Sequence, residues 1–292
     1  MIAVIDLHCH GGGGAAFGTG VDETLRALEA HAAHGTAGIV ASLVTAPASE
    51  LARQLDVLRE ASDADARLLG AHLEGPFLAP ERKGAHDAAH LSAPTPTMVD
   101  DLLAAGQGLL RQVTISPELP GALDAIAAFA AAGVIPAVGH TTASASLAAE
   151  AFDAGARLVT HAFNAMPGIT ARDPGPVGAA LADERVAIEV IADGIHVDPT
   201  LVRLLFRAAP GRVVLVTDAM AAAGAPDGTY RLGALDVVVS QGRAVVAGTD
   251  TLAGSTLTLA RAVEVCVAAG VPRDEAEAAA SLVPSRVLGL AS

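Results

Sequence analysis

The chain has 292 residues, of which 52% are hydrophobic, so it can bury a sizeable core within one large domain. Its formal net charge of −14 disfavours nucleic acid and anionic membranes as partners, because both attract positively charged patches. Its two cysteines lie far apart in the sequence and form no paired motif, which favours a reducing compartment. We therefore expect a cytoplasmic protein with no signal peptide and no membrane span.

Short apolar segments alternate with helical segments along the chain. The predicted strands are Ile2–His8, Thr36–Leu43, Arg67–Leu73, Leu110–Ile115, Val134–Gly139, Arg157–Thr160, Val186–Ile191 and Val213–Thr217. The predicted helices are Val21–His34, Ser49–Ser62, Thr97–Ala105, Gly121–Ala132, Ala143–Ala154, Pro199–Ala208, Ser255–Ala269 and Arg273–Leu288. This alternation predicts parallel βαβ units, and a count of eight strands favours a closed (β/α)8 TIM barrel over an open doubly wound sheet. We assign residues 1–292 to one barrel domain.

One segment departs from this alternation. Residues Gly228–Ala247 alternate between apolar and polar side chains, as a β-hairpin does, and Gln241-Gly242 is a turn sequence. We interpret the segment as a small β-hairpin insertion between the last barrel strand and the final helices.

Polar side chains that bind metals or move protons follow strand after strand. They are His8, His10, Glu74, His140, His161, Asp193, His196 and Asp218. The carboxyl ends of barrel strands meet on one face, and this face carries the active site of such barrels. The sequence therefore predicts that these residues, which are remote from one another along the chain, meet in one pocket.

The first of these residues are ambiguous when each is taken alone. His8 and His10 are two positions apart, so in a strand both imidazoles point to the same side and can reach one metal ion. Two histidines with this spacing, taken alone, fit chance or a structural role as well as they fit a metal site. Glu74 is costly to bury unless it is paired or metal-bound, but it could instead cap a helix or form a salt bridge to Arg82 or Lys83.

The later residues leave similar alternatives open. His140 and His161 could be buried histidines with ordinary hydrogen bonds, and Asp218 could cap the next helix. In a metal site, a carboxylate at position 218 could instead ligate the metal or carry a proton from water to a leaving nitrogen. Four histidines and a glutamate at strand ends are hard to explain separately, and together they indicate a metal site.

Several motifs of the chain resemble those of a known family. They are His72–Phe77, Lys83–His86, Gly139–Thr141, Thr160–Pro167, Ala192–Asp198, Val216–Ala219 and Ala253–Leu257. In this order they are similar to the motifs of the N-acetylglucosamine-6-phosphate deacetylases of the amidohydrolase superfamily. The resemblance spans nearly the whole chain, and it implies hydrolysis of the N-acetyl group of N-acetylglucosamine 6-phosphate, in amino-sugar catabolism.

The resemblance implies two divalent ions per chain, with zinc or iron expected. The implied ligands are His8, His10, Glu74, His140, His161 and Asp218. By this resemblance Glu74, His140 and His161 hold one ion. His8 and His10 add the second, and Asp218 lies near both.

The resemblance also implies roles toward the substrate. Asp218 would be the general base and then the general acid, and His86 would hydrogen-bond the substrate near its acetyl group. The residues implied near the phosphate are Asn164, Ala165, Arg172 and His196. Family members form homodimers in which the arginine comes from the neighbouring subunit, so we expect a homodimer that binds a small amino-sugar phosphate.

The chain departs from the family pattern at its ends. Family members build a small β-sandwich domain from segments before the first barrel strand and after the last helix, and this domain is expected to be absent here. Two alternative functions stay open. One is hydrolysis of a different acylated or cyclic amide by the same kind of site. The other is a catalytically silent homologue that binds a sugar phosphate.

Overall fold

An eight-stranded parallel sheet forms the centre of the molecule in the computed structural model, which describes residues 3–290. In chain order and in sheet order, its strands are Ile5–Cys9, Gly38–Val44, Leu68–Glu74, Leu110–Ile115, Ile135–Val138, Leu158–Val159, Ala187–Ile191 and Val213–Val216. We call them barrel strands one to eight. The predicted (β/α)8 barrel is confirmed, although the strand start predicted at Ile2 lies outside the described residues.

Helices lie between consecutive strands and pack against them. The α-helices are Val21–Ala32, Ala48–Ala64, Pro96–Ala105, Ala122–Ala131, Ala145–Ala154, Gly175–Ala182, Pro199–Ala208, Leu259–Ala268, Arg273–Ala279 and Leu282–Val287. Short 3-10 helices also lie at Pro80–Arg82 and Ala88–His90. Within the described residues, no helix is both long enough and apolar enough to cross a membrane.

Two helical predictions are corrected by the structure. The helix Gly175–Ala182 was not predicted. The single helix predicted at Arg273–Leu288 is wrong, because the chain leaves the helical conformation at Ser281, where φ is −140° and ψ is −73°. Pro284 explains the interruption, since it has no backbone N–H to donate to the carbonyl of Ala280.

The barrel closes between strand one and strand eight. The backbone N–H of Asp218 donates to the carbonyl of His8 at 2.8 Å. The buried carboxylate of Asp6 accepts a hydrogen bond from the hydroxyl of Thr217 at 2.6 Å and another from its backbone N–H at 3.2 Å. These contacts place the carboxyl ends of the first and last barrel strands side by side.

The predicted β insertion contains three strands rather than two. Its antiparallel strands are Gly228–Leu232, Leu235–Ser240 and Arg243–Val246. The turn predicted at Gln241-Gly242 joins the second and third of them, and Gly233-Ala234 joins the first and second. A two-stranded ribbon, Gly11–Gly12 with Ala15–Ala16, follows barrel strand one. The assignment of residues 1–292 to one domain stays a prediction.

Candidate active site

Six side chains meet at the carboxyl ends of the barrel strands. They are His8, His10, Glu74, His140, His161 and Asp218, the residues predicted as metal ligands. Each is buried, and the most exposed of them, Asp218, has a relative accessibility of 8%. Residues separated by more than 200 positions in the chain therefore share one small volume.

Three of these residues have an unusual backbone conformation. His140, His161 and Asp218 have φ values of 48°, 26° and 48°, in the left-handed region that non-glycine residues rarely adopt. Such a conformation costs about 1–3 kcal/mol per residue and persists where the surrounding structure enforces it. Each of the three lies two positions after the last residue of a barrel strand, where the chain turns away from the sheet. Strain of this kind clusters at functional sites.

One group of ligand atoms surrounds the first oxygen of Glu74. Its Oε1 atom lies 3.0 Å from Nε2 of His140 and 3.0 Å from Nε2 of His161. The two imidazole Nε2 atoms are 3.1 Å apart. The three side chains thus present their ligand atoms to one point.

A second group shares Glu74 with the first. The Nε2 atoms of His8 and His10 are 3.2 Å apart and lie 3.4 Å and 3.2 Å from Oδ1 of Asp218. His10 Nε2 is also 3.1 Å from Oε2 of Glu74, and His8 Nε2 is 3.4 Å from Oε1. Glu74 therefore lies between two adjoining sets of ligands.

Hydrogen bonds at Nδ1 determine which ring nitrogen of two of these histidines faces the centre. Nδ1–H of His10 donates to the carbonyl of Ser42 at 3.1 Å, and Nδ1–H of His140 donates to the carbonyl of Arg82 at 2.8 Å. With Nδ1 as the hydrogen-bond donor, Nε2 of each ring faces the other ligands and the carboxylates, and it can bind a metal ion when it carries no proton. Atoms that bind one ion tetrahedrally at 2.0–2.1 Å lie about 3.3 Å apart, close to the distances found here. The donor set therefore fits divalent metal ions.

Both carboxylates of the centre are ionised at neutral pH. Burial alone would raise the pKa of Glu74, but His8 and His10 outweigh it and hold that pKa well below its usual value. Burial likewise opposes ionisation of Asp218, yet the same imidazoles lower its pKa to about 2. Two buried negative charges are therefore present for cations to offset.

His86 faces the same centre as a neutral donor. Its Nδ1 accepts the backbone N–H of Thr45 at 3.2 Å, so the ring proton is on Nε2, which lies 3.3 Å from Oε2 of Glu74. Burial lowers the pKa of His86 to about 4, so the ring is uncharged at neutral pH. Nε2–H can donate to a group bound beside the carboxylates.

A pocket of about 310 Å³ opens above the ligands. Besides His10, Glu74, His140, His161 and Asp218, its walls include Arg82, His86, Asn164, Ala165, His196, Leu232 and Leu252. Its volume lies at the lower end of the range for small-molecule sites, about 300–1,000 Å³. Of the residues predicted to bind substrate, Arg172 alone does not line this pocket, because it lies in an exposed loop.

His196 is held in the pocket wall by Asp193. Its Nδ1 lies 2.7 Å from Oδ2 of Asp193, while Oδ1 accepts the backbone N–H groups of Ile195 and His196, both at 2.8 Å. Burial opposes ionisation of Asp193, but His196 outweighs it and lowers the pKa of Asp193. The carboxylate of Asp193 thus fixes the orientation of the His196 imidazole in the pocket wall.

Some residues of the site were not predicted. Arg82 lines the pocket, and among the described residues no ion pair joins Glu74 to Arg82 or Lys83, the alternative that the sequence allowed. Glu189 is fully buried behind the centre, with Oε2 3.3 Å from Nδ1 of His8. A charged residue inside an otherwise apolar strand, Ala187–Ile191, was the signal that could have identified it.

The chain matches known proteins over its whole length. A sequence model of the amidohydrolase family matches residues 1–292. The chain belongs to the amidohydrolase family. It is 40% identical over 293 residues to the N-acetylgalactosamine-6-phosphate deacetylase of Escherichia coli O157:H7, covering 99% of this chain and 78% of that protein. It is 37% identical over 295 residues to the N-acetylglucosamine-6-phosphate deacetylase of Vibrio furnissii, covering 99% and 74%.

Solved structures of amidohydrolase relatives share the fold. A mutant of the Mycobacterium smegmatis N-acetyl-D-glucosamine-6-phosphate deacetylase, in complex with N-acetyl-D-glucosamine-6-phosphate, superposes with a TM-score of 0.95 at 47% identity. That match covers 99% of this chain and 77% of the other. The enzyme from Pasteurella multocida superposes with a TM-score of 0.94 at 30% identity, covering 99% and 76%. The family resemblance of the sequence is confirmed.

Proposed function

We propose that the protein hydrolyses the N-acetyl group of N-acetylglucosamine 6-phosphate, giving glucosamine 6-phosphate and acetate. The observation that carries this proposal is the pocket itself, with a donor set for divalent cations at its floor and the Asp193–His196 pair in its wall. The names of the relatives support the same reaction. We place the reaction in the cytoplasm, a proposal supported by two buried cysteines that form no disulfide.

We propose that two divalent ions, zinc or iron, bind at the floor of this pocket. Glu74, His140 and His161 would hold one ion, and His8 and His10 would hold the other, with Glu74 shared and Asp218 close by. Divalent cations polarise a carbonyl group and bring the pKa of water to about 7, which supplies a nucleophile at neutral pH.

Other side chains of the pocket act on the proton, the acetyl group and the phosphate. Oδ1 of Asp218 receives the proton of the attacking water and later passes it to the departing amine nitrogen, because its low pKa leaves it ionised and able to accept. Nε2–H of His86 donates to the carbonyl oxygen of the acetyl group as negative charge develops there. His196, in the pocket wall, binds the phosphate, and the backbone of Asn164 and Ala165 lies beside that phosphate.

Four exposed apolar residues support a homodimer. Ile169, Ile195, Leu201 and Leu204 are between 37% and 48% exposed. Ile169 shares a loop with Arg172, and Ile195 precedes His196. We propose that these surfaces pair between two copies and that the partner subunit's Arg172 completes the phosphate site.

A second question about this site is which epimer of the amino sugar it prefers. The relative from Escherichia coli O157:H7 is an N-acetylgalactosamine-6-phosphate deacetylase, and at 40% identity it favours testing the galactosamine epimer beside the glucosamine one. The two sugars differ in the orientation of one hydroxyl group. The ratio of kcat/KM for the two substrates assigns the preference.

The experiment that tests the proposal is release of acetate by purified protein loaded with zinc or iron. The substrates are N-acetylglucosamine 6-phosphate, its galactosamine epimer and unphosphorylated N-acetylglucosamine, and the control protein is Asp218→Asn. We expect turnover of a phosphorylated substrate by the wild-type protein only. No acetate release with either metal would overturn the proposal and favour a silent sugar-phosphate-binding protein. Equal activity without the phosphate would favour hydrolysis of a different amide.

A further inference from the structure

A buried carboxylate lies behind the ligand centre, on the side away from the pocket. Glu189 is in the middle of barrel strand seven, between Ile188 and Val190, and all three side chains are fully buried. Burying a carboxylate away from water costs free energy unless the group is paired or hydrogen-bonded. Among the described residues, Glu189 forms no ion pair with lysine or arginine, so its compensation comes from elsewhere.

The hydrogen bonds of Glu189 reach both sets of predicted metal ligands. Oε2 accepts from Nδ1–H of His8 at 3.3 Å and from the backbone N–H of His161 at 3.3 Å. Oε1 accepts from the side-chain amide of Gln112 at 2.8 Å. One side chain therefore contacts a member of the Glu74–His140–His161 set and a member of the His8–His10 set.

We infer that Glu189 is a positioning residue, which orients His8 and anchors His161 so that both present Nε2 to the metal ions. The inference rests on the metal centre proposed above. An acceptor on Nδ1–H fixes both the tautomer and the ring orientation of a histidine ligand and makes its Nε2 a stronger donor. The bond to the His161 N–H holds a residue whose φ of 26° the chain would otherwise avoid.

The position of Glu189 suits this role. Its acceptor oxygens lie one imidazole away from the proposed ions, and the fully buried surroundings keep water from competing for the Nδ1–H of His8.

Two substitutions separate this role from simple packing. Glu189→Gln keeps the shape and removes the charge, and Gln112 can rotate its amide to accept from the new amide, because its own Oε1 has no partner among the described residues. Glu189→Ala removes the acceptor as well. The matched control is Thr114→Val, in the same interior, whose hydroxyl contacts His72 and Thr160 rather than a predicted ligand.

The measurement is stepwise zinc affinity, determined by competition with a chromophoric chelator, together with urea unfolding of the metal-free proteins. We expect Glu189→Ala to bind at least one zinc ion about 10–100-fold more weakly than the wild-type protein, and Glu189→Gln, which keeps an acceptor oxygen, to lose less affinity. Thr114→Val should lower the stability of the metal-free protein and leave zinc affinity unchanged. If Glu189→Ala does not fold, Glu189→Met is measured in its place, because it keeps the length of the side chain and removes the acceptor.

The outcomes distinguish this inference from the proposed function. Wild-type zinc affinities in the Glu189→Ala variant would overturn the positioning role and leave the metal centre intact. Weaker zinc binding in Thr114→Val, equal to that of Glu189→Ala, would likewise overturn it, because any interior defect would then suffice. Wild-type protein that binds no zinc at all would overturn the metal centre and the inference with it.

Discussion

The hydroxyl of Thr217 holds the closing seam of the barrel, and its removal should be measurable. It donates to Oδ2 of Asp6 at 2.6 Å and accepts the backbone N–H of Ala219 at 3.1 Å. Thr217→Val keeps the shape and loses both bonds. A hydrogen bond to a charged group contributes about 1.5–3 kcal/mol, and an unpaired buried N–H costs about 1–3 kcal/mol. We therefore expect the free energy of unfolding to fall by about 2.5–6 kcal/mol.

The matched control is Thr217→Ser, which keeps the hydroxyl and loses one methyl group, at a cost of about 0.8 kcal/mol. The assay is urea unfolding of the metal-free proteins at pH 7. Burial raises the pKa of Asp6 above 3.8, and the Thr217 hydroxyl opposes that rise. Ionised Asp6 thus loses its strongest donor in Thr217→Val, and the deficit should grow as pH rises through the pKa of Asp6. A valine variant as stable as the serine variant at pH 7 would refute this reasoning.

Three further substitutions test the proposed roles in the pocket. Asp218→Asn should lower kcat by about 10²–10⁴-fold and leave the metal content unchanged; persistent turnover would mean that another residue moves the proton. His86→Ala should lower kcat about 10²–10³-fold with little change in KM, as expected for a donor to the developing oxyanion. Asp193→Asn should raise KM for the phosphorylated substrate about tenfold, the effect of losing about 1.4 kcal/mol of binding. An equal effect on unphosphorylated N-acetylglucosamine would show that His196 does not hold the phosphate.

The convergence of the ligands was predictable because it follows from two simple periodicities. A strand places alternate residues on one side, which groups His8 with His10, and a barrel brings the ends of all its strands to one face. Glu74, His140 and His161 are therefore found together as the sequence indicated. Their roles toward metal and substrate stay predictions.

The sequence did not indicate three features of the structure, namely the interior position of Glu189, the helix Gly175–Ala182 and the place of Arg82 in the pocket. The charge of Glu189 stands out in the strand Ala187–Ile191, but a strand that is buried on both faces does not show which of its residues face the barrel interior and which face the helices. The helix Gly175–Ala182 was missed because Gly175-Pro176 is typical of a turn, although proline is equally compatible with the first turn of a helix. Arg82 lies outside the strands, in the segment after strand three, and only the folded chain shows that it lines the pocket.

We propose that this chain hydrolyses an acetylated amino-sugar phosphate with divalent cations bound at the carboxyl ends of its barrel strands. Acetate release should therefore be measured against the number of metal ions bound per chain, from metal-free protein to saturation. We predict no turnover by the metal-free protein and a rate that rises with occupancy. Full activity in protein without bound metal would contradict the account.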